Sequence, residues 1–500
     1  MESAGYTRLL ERHGITTAHL HHSSWIDPRR STRETVRVGL GIEELFPARY
    51  RPADSDFDHL LFALKYDGLD LAALARIFAR VDRRELAQRI AAQPRSKYAR
   101  RIFYLFERLT GATLEISDLT GTAYTALLDP NEHYTAVGVR VPRHRVVDNL
   151  LGELGGFCPV VRRTQILDDY AARSLDVRAR AITSSIDPSL LTRAIHYLHG
   201  KETRSSYAIE REDPGDREER FIAQLARVAE LDLSSEAGLT ALQHAIVEPP
   251  YHDSGFRSSG SLEVYVSETI GFNRERIHHI GARSASTPRL MESWARMRTV
   301  EGPGAAVVEA ACRAFAFVFV HPFGDGNGRI HRLLFHHVLA RRGFLPANLI
   351  VPISAAILAD MSHYDEVLED FSRRVLAMVE HQLDERGVLE IRNDPDDFYR
   401  YPDLTRQSEA TFEWLERAIE RDLVLEIDFL QRHDRARAQM RRVIDMPDRK
   451  AKLFLVLVLS NRGMLSKRKR KEFAELSDET VARLEQVVGD AFEGYEGPLD

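Results

Sequence analysis

One run of the 500-residue chain has the residue types and spacing that chemistry needs: His321-Pro-Phe-Gly-Asp-Gly-Asn-Gly-Arg-Ile-His-Arg332. Gly324, Gly326 and Gly328 let the backbone turn sharply and let a ligand come close. An apolar segment without Pro or Gly, Ala305 to Val320, precedes the run, and a helical pattern of Leu333, Leu334, Phe335, Val338 and Leu339 follows it. The spacing therefore predicts a tight loop between two helices, with Gly328 near the start of the second. Unpaired N–H groups and the positive dipole end at a helix start attract anions. Arg329 and Arg332, one turn apart, can face the same anion. Asp325 offers a hard oxygen to Mg²⁺, and His321 is a base available near neutral pH. This set points to phosphate-ester chemistry. Taken singly, the residues have plainer readings: the glycine loop is a turn, and the histidine a helix cap. A plain turn, however, needs none of the charged groups. The run is no Walker A loop, because no Gly-Lys-Ser/Thr follows.

Every fixed position of His-Pro-Phe-x-Asp/Glu-Gly-Asn-Gly-Arg-x-x-Arg is present, and the run resembles the signature of the Fic family. That resemblance extends over about 187–375. It implies a helical catalytic domain that moves AMP from ATP onto a Ser, Thr or Tyr hydroxyl of a protein. It further implies that His321 deprotonates the hydroxyl and that Asp325 holds Mg²⁺ (or Mn²⁺). Gly326, Asn327 and Gly328 would cradle the phosphates, Arg329 and Arg332 would bind the end that leaves as pyrophosphate, and Phe323 would anchor the loop. Relatives transfer UMP, phosphocholine or phosphate, but the two arginines and Gly-Asn-Gly favour a nucleoside triphosphate. AMP removal, self-modification and a homodimer are compatible with the resemblance.

Two neighbouring segments extend it. Ser206 to Glu210 resembles the Ser/Thr-x-x-x-Glu-Gly/Asn of an inhibitory helix, departing at Arg211; the plain alternative is a helical glutamate paired with Arg204 or Arg211. Tyr251 to Arg257 resembles a Gly-x-aromatic-Arg turn, except that Gly255 directly precedes Phe256. Beyond it, the alternating Leu262, Val264 and Val266 are expected to pair with Ile277 and Ile280 as a hairpin. The resemblance makes that hairpin a flap that docks the target by strand addition; without it, the hairpin is a plain surface element.

The elements around the run read as mainly α: a Fic-type helical core with a small β-hairpin flap between helical N- and C-terminal domains. The boundaries expected are a helical N-terminal domain 1–118, a mixed connector 119–186, the catalytic domain 187–390 including the inhibitory helix, and a helical C-terminal domain 391–500. Leu60, Leu64, Leu71, Leu74, Ile77, Ile102 and Leu105 carry the N-terminal helical pattern. Arg140 to Arg145 reads as a solvated basic strand edge. Asp187-Pro188 is a helix start, and Asn393 to Asp397 marks a boundary.

Composition narrows the function classes. The chain is 44% apolar with net charge −6, enough for about two to four domains and against wholesale nucleic-acid binding. The segment Arg432 to Lys471 is the exception, with fourteen Lys/Arg against three Asp. This leaves a second reading, a nucleic-acid-binding regulator with the core as nucleotide sensor. The bland reading is a solvated face beside Glu472, Glu475, Asp478 and Glu479. Cys158 and Cys312 are too distant for a disulfide framework, and Cys312 reads as a small core residue. His19, His21 and His22 lack the spacing of a metal site and read as a surface loop. His331, His336 and His337 read as helix-face residues. With no apolar leader and no membrane-length run, a cytoplasmic location is expected. The function expected is an ATP-dependent protein adenylyltransferase restrained by Glu210.

Overall fold

The apolar segment ahead of the loop is a helix, Ala305–Val320, and the pattern after it a second, Asn327–Arg341. Both are buried almost all round, the first as its apolar composition requires. They meet through the rings of Phe315, His331 and Phe335. Glu309, buried between them, is matched on every side. It accepts the Val300 N–H and faces the Arg313 and Arg342 guanidiniums, so no charge is buried bare. Cys312 is buried in the first helix.

The computed structural model describes every residue except 18–19, 39–40, 272–273, 347 and 498–500. His19 thus lies outside the described residues. The fold is mainly helical with small sheets. It divides into two units, Met1–Arg173 with Arg227–Arg342 and Asp360–Phe412, and Ser174–Ala226 with Gly343–Ala359 and Glu413–Asp500.

In the first unit the N-terminal helical pattern becomes the helices Asp56–Phe62, Leu71–Phe78, Arg83–Ala91 and Lys97–Thr110, capped by Ser55, Asp70, Asp82 and Ser96. Ahead of them stands a sheet that the sequence did not announce. Its strands are ordered Glu2–Ala4, His22–Ile26, Gly41–Phe46, Glu34–Val38, with a parallel pair at its centre. Ile26 and Phe46 pack on Phe62. His22 therefore opens a half-buried strand 3.1 Å from Glu44 and is not in a surface loop. Among the described residues no group of three or more His, Cys, Asp or Glu could hold a metal.

The basic patch 140–145 also departs from expectation. Arg143 and His144 both turn onto Glu107, the histidine 2.7 Å away and only 4% exposed. Glu107, on the helix Lys97–Thr110, thus draws this half of the patch inward, whereas Arg140 on the strand Val139–Val141 stays exposed, as a solvated edge requires.

In the second unit, helix Pro188–Ile209 starts as expected, with Asp187 accepting the Ser189 and Leu190 N–H groups. It continues through Gly200. Buried Glu202 accepts both the N–H and hydroxyl of Ser354, and Arg204 pairs with Glu218. Glu210 is the C-cap, and Arg211 follows at φ 59°. Arg211 N–H reaches Ala208 O and Glu212 N–H reaches Tyr207 O, the paired bonds of a Schellman ending. That geometry explains why Gly or Asn is the expected residue at 211: the left-handed conformation is costly for other side chains. The C-terminal helices Val424–Val443, Asp448–Leu459 and Asp478–Phe492 enclose Phe454, Phe473 and Leu484. Much of their basic charge is matched locally: Arg432 by Asp428, Arg437 and Arg441 by Asp448, and Arg470 by Asp478. Among the described residues no helix is long and apolar enough to cross a membrane.

Candidate active site

His321 ends the helix Ala305–Val320 in the left-handed conformation, φ 56° and ψ 61°. A non-glycine residue there is uncommon and stores strain, so its surroundings must hold it. Its N–H donates to Phe317 O at 2.9 Å, and its carbonyl accepts from Arg257 Nε at 2.8 Å. Its ring Nδ1 lies 3.0 Å from Val318 O. A carbonyl can only accept, so Nδ1 carries the proton and Nε2 keeps a lone pair. Burial, helped by the Arg257 charge and opposed by the Val318 bond, pushes the imidazole down from 6.5 to about 4.

The sign of the resulting pH dependence is fixed by this shift. A lowered value keeps the ring neutral, and so competent as a base, until pH falls to about 4. The acid limb of kcat/KM for any reaction that uses this base should therefore lie below pH 5, about a unit above that value. A limb centred on the ordinary histidine value would contradict the assignment.

Two residues outside the loop set its shape. Arg257, 5% exposed, donates from Nη2 to Ala282 O and Val320 O, and its own N–H donates to Pro322 O. One guanidinium thus gathers the carbonyls at the helix C-terminus, where positive charge is favourable. Burial lowers it to about 10, so it stays charged. His279 reaches in from the hairpin, with Nε2 3.0 Å from Phe319 O and Nδ1 3.0 Å from Ser372 Oγ. Burial pushes it down to about 3, so it lies 5.9 Å from the His321 ring without adding charge. Sequence reasoning passed over both. The aromatic-Arg turn was the one signal for Arg257, and His279 gave none.

The loop itself is braced from inside. Phe323 is fully buried against Phe256 and Phe317. The Asn327 amide accepts the Phe323 N–H and donates to Phe323 O, so its side chain holds the loop closed. Gly326 sits at φ 88°, and a Cβ there would meet Val247 Cγ2 at 2.7 Å. Only glycine fits that position. Gly328 lies half-buried in the first turn of the helix Asn327–Arg341. Asp325 Oδ1 accepts from Gly326 N–H and from Arg329 Nη2 at 2.8 Å. Its side chain is 42% exposed, leaving Oδ2 turned to no hydrogen-bond donor among the described residues. One exposed carboxylate oxygen suits Mg²⁺, which is commonly held by one or two carboxylates plus substrate phosphates. Arg329 and Arg332 are each 1% exposed on that helix, and Arg329 Nη1 also donates to Ile246 O.

A cleft of about 480 Å³ opens beside the loop, lined by Asp253, Phe256, Leu262, Tyr265, His321 and Gly324 among others. The hairpin over it runs Tyr265–Gly271 and Arg274–Ile280, with Ile280 opposite Tyr265 and Ile277 opposite Ser267. It starts later than the alternation suggested. Leu262, 68% exposed, and Val264 precede the strand, although Val264 O still accepts Gly281 N–H. Of the docking candidates, Val266 is exposed, Ile277 half-buried and Ile280 buried. Ser206, fully buried, and Glu210 lie at the end of helix Pro188–Ile209 in the second unit.

Residues 233–339 match the Fic/DOC family. The matched segment contains the whole loop, the hairpin, the helix before the loop and all but the last two residues of the helix after it. Among solved structures, the chain resembles a Fic family protein from Desulfovibrio desulfuricans G20 at 18% identity. That likeness covers 65% of this chain and 85% of that one with a TM-score of 0.36, too distant to carry an argument. No curated protein matches.

Proposed function

We propose that this chain transfers AMP from ATP to a Ser, Thr or Tyr hydroxyl of a target protein. The Fic/DOC match supports nucleotidyl transfer to proteins. The observation that carries the finer reading is the tautomer of His321, whose Nδ1 is committed to Val318 O and whose Nε2 is a neutral base at the edge of the cleft. In the reaction the target hydroxyl oxygen attacks the α-phosphorus, and Nε2 takes the hydroxyl proton. The bond from the α-phosphorus to the bridging oxygen breaks, and pyrophosphate leaves toward Arg329 and Arg332. The backbone of Gly326 to Gly328, at the N-terminus of the following helix, faces the phosphates. Leu262, Val264 and Val266 offer the outer edge for a target strand, while Ile277 and Ile280 seat the hairpin.

Asp325 would hold Mg²⁺ or Mn²⁺, which when bound supplies positive charge to the departing pyrophosphate. Transfer should therefore stop in EDTA and fall in Asp325→Ala. Full activity in EDTA would remove the metal from the reading, whereas rescue of Asp325→Ala by excess Mg²⁺ would place most of the ion's ligands on the phosphates.

Glu210 gives the reading its regulation. On its resemblance to an inhibitory glutamate, Glu210 restrains the transfer, and its removal releases it. Self-modification measured in purified protein is the readout for this role. It also reports whether the chain can remove AMP, since modified protein left without ATP would then lose its label.

A further inference from the structure

The cleft contains a carboxylate that this chemistry does not use. Asp253 Oδ2 accepts the Gly324 N–H at 2.9 Å and a weaker bond from Gln243 Nε2 at 3.3 Å. Its backbone is fixed as well: its N–H donates to Gln243 Oε1, and its carbonyl lies 2.7 Å from His244 Nε2. Gln243 is fully buried and also donates to Tyr251 O and, at 3.4 Å, to Asp325 O. One buried amide therefore sets the position of Asp253 against the glycine loop.

We propose that Asp253 makes nucleotide capture depend on the divalent cation. Gly324 N–H is the first donor of the glycine-rich loop, and in this structure it is taken by an anion. A metal-free triphosphate entering the cleft meets both an occupied donor and a like charge. A cation travelling with the phosphates offsets that charge and lets the loop exchange the carboxylate for phosphate oxygen. This inference rests on the nucleotide reading above and adds to it the origin of the metal requirement at the binding step.

The test is the affinity of the full-length protein for ATP in EDTA and for ATP with Mg²⁺, in wild type, Asp253→Asn and Asp253→Ser. Both substitutions remove the charge; asparagine keeps an oxygen acceptor for Gly324 N–H, and the shorter serine, which leaves that donor open, covers failure of the asparagine variant to fold. Metal-free ATP should bind about tenfold or more tightly to the variants, since like charges a few ångströms apart in a cleft repel far more strongly than in bulk water. Affinity for MgATP should change much less, so the advantage given by Mg²⁺ shrinks. A carboxylate that merely braced the loop would weaken both affinities together, and that outcome overturns the proposal. Unchanged metal-free affinity in both variants, with MgATP bound normally, overturns the role of Asp253 alone. Wild type that binds ATP in neither condition overturns the nucleotide reading and this inference with it.

Discussion

Replacing His321 by Ala is expected to lower AMP transfer by about 10²–10⁴-fold, the usual contribution of a positioned general base, while ATP still binds. The split follows from geometry. The ring is held by Val318 O through Nδ1, so Nε2 is the nitrogen left to take a proton, while in the proposed reaction the phosphate contacts would come from the backbone and arginines farther along the run. The left-handed backbone at 321 adds a second readout. Alanine is also uncomfortable there, whereas His321→Gly relieves the strain. The glycine variant should be as inactive as the alanine variant yet at least as stable to heat. Equal transfer by His321→Ala and wild type would remove the base from its assigned role.

The second large effect runs the other way. Glu210→Gly should raise self-modification. Coupling between two ligands of a protein is typically about 5–150-fold, and an effect within that span is expected. The double variant Glu210→Gly with His321→Ala should show none, because removing a restraint supplies no base. The expected rise depends on a residue whose own neighbour is unusual. Arg211 occupies a left-handed position after the cap, where glycine or asparagine would be relaxed. If Glu210→Gly leaves self-modification and ATP affinity both at wild-type levels, Glu210 is an ordinary helix cap.

The site was legible where chemistry constrains residue type over a short span. A loop that must turn through φ 88° against Val247 has to have glycine at 326, and a helix buried on every side has to be apolar from 305 to 320 except where Glu309 and Arg313 pair. Such requirements leave a local mark. The resemblance supplied roles that spacing alone could not, including that proposed for Glu210. What was not legible depends on partners far away in sequence. Glu107 draws in Arg143 and His144 from 36 and 37 positions along, so half of a run of bases that looks solvated turns inward. Asp253 meets Gly324 across 71 positions, and nothing around Tyr251 to Ser254 signals it. The N-terminal sheet was missed for another reason. Its strands are short and carry Ser, Glu and Arg, so the alternation that marks a strand is weak, and Phe46 and Ile26 become core only once Phe62 packs on them. The hairpin shows the same weakness in its placement: Ser267, Glu268 and Thr269 are strand residues without an apolar face to announce them.

Whether the group transferred is AMP is decided by incubating purified protein, Mg²⁺ and a cell lysate with ATP radiolabelled at either the α- or the γ-phosphate, with His321→Ala in parallel. Label from the α-phosphate should become fixed to protein, label from the γ-phosphate should not, and the His321→Ala lanes should be blank. Label fixed from the γ-phosphate would mean that a phosphoryl group moves instead, and α-label equally strong in His321→Ala would mean that this site does not carry the reaction.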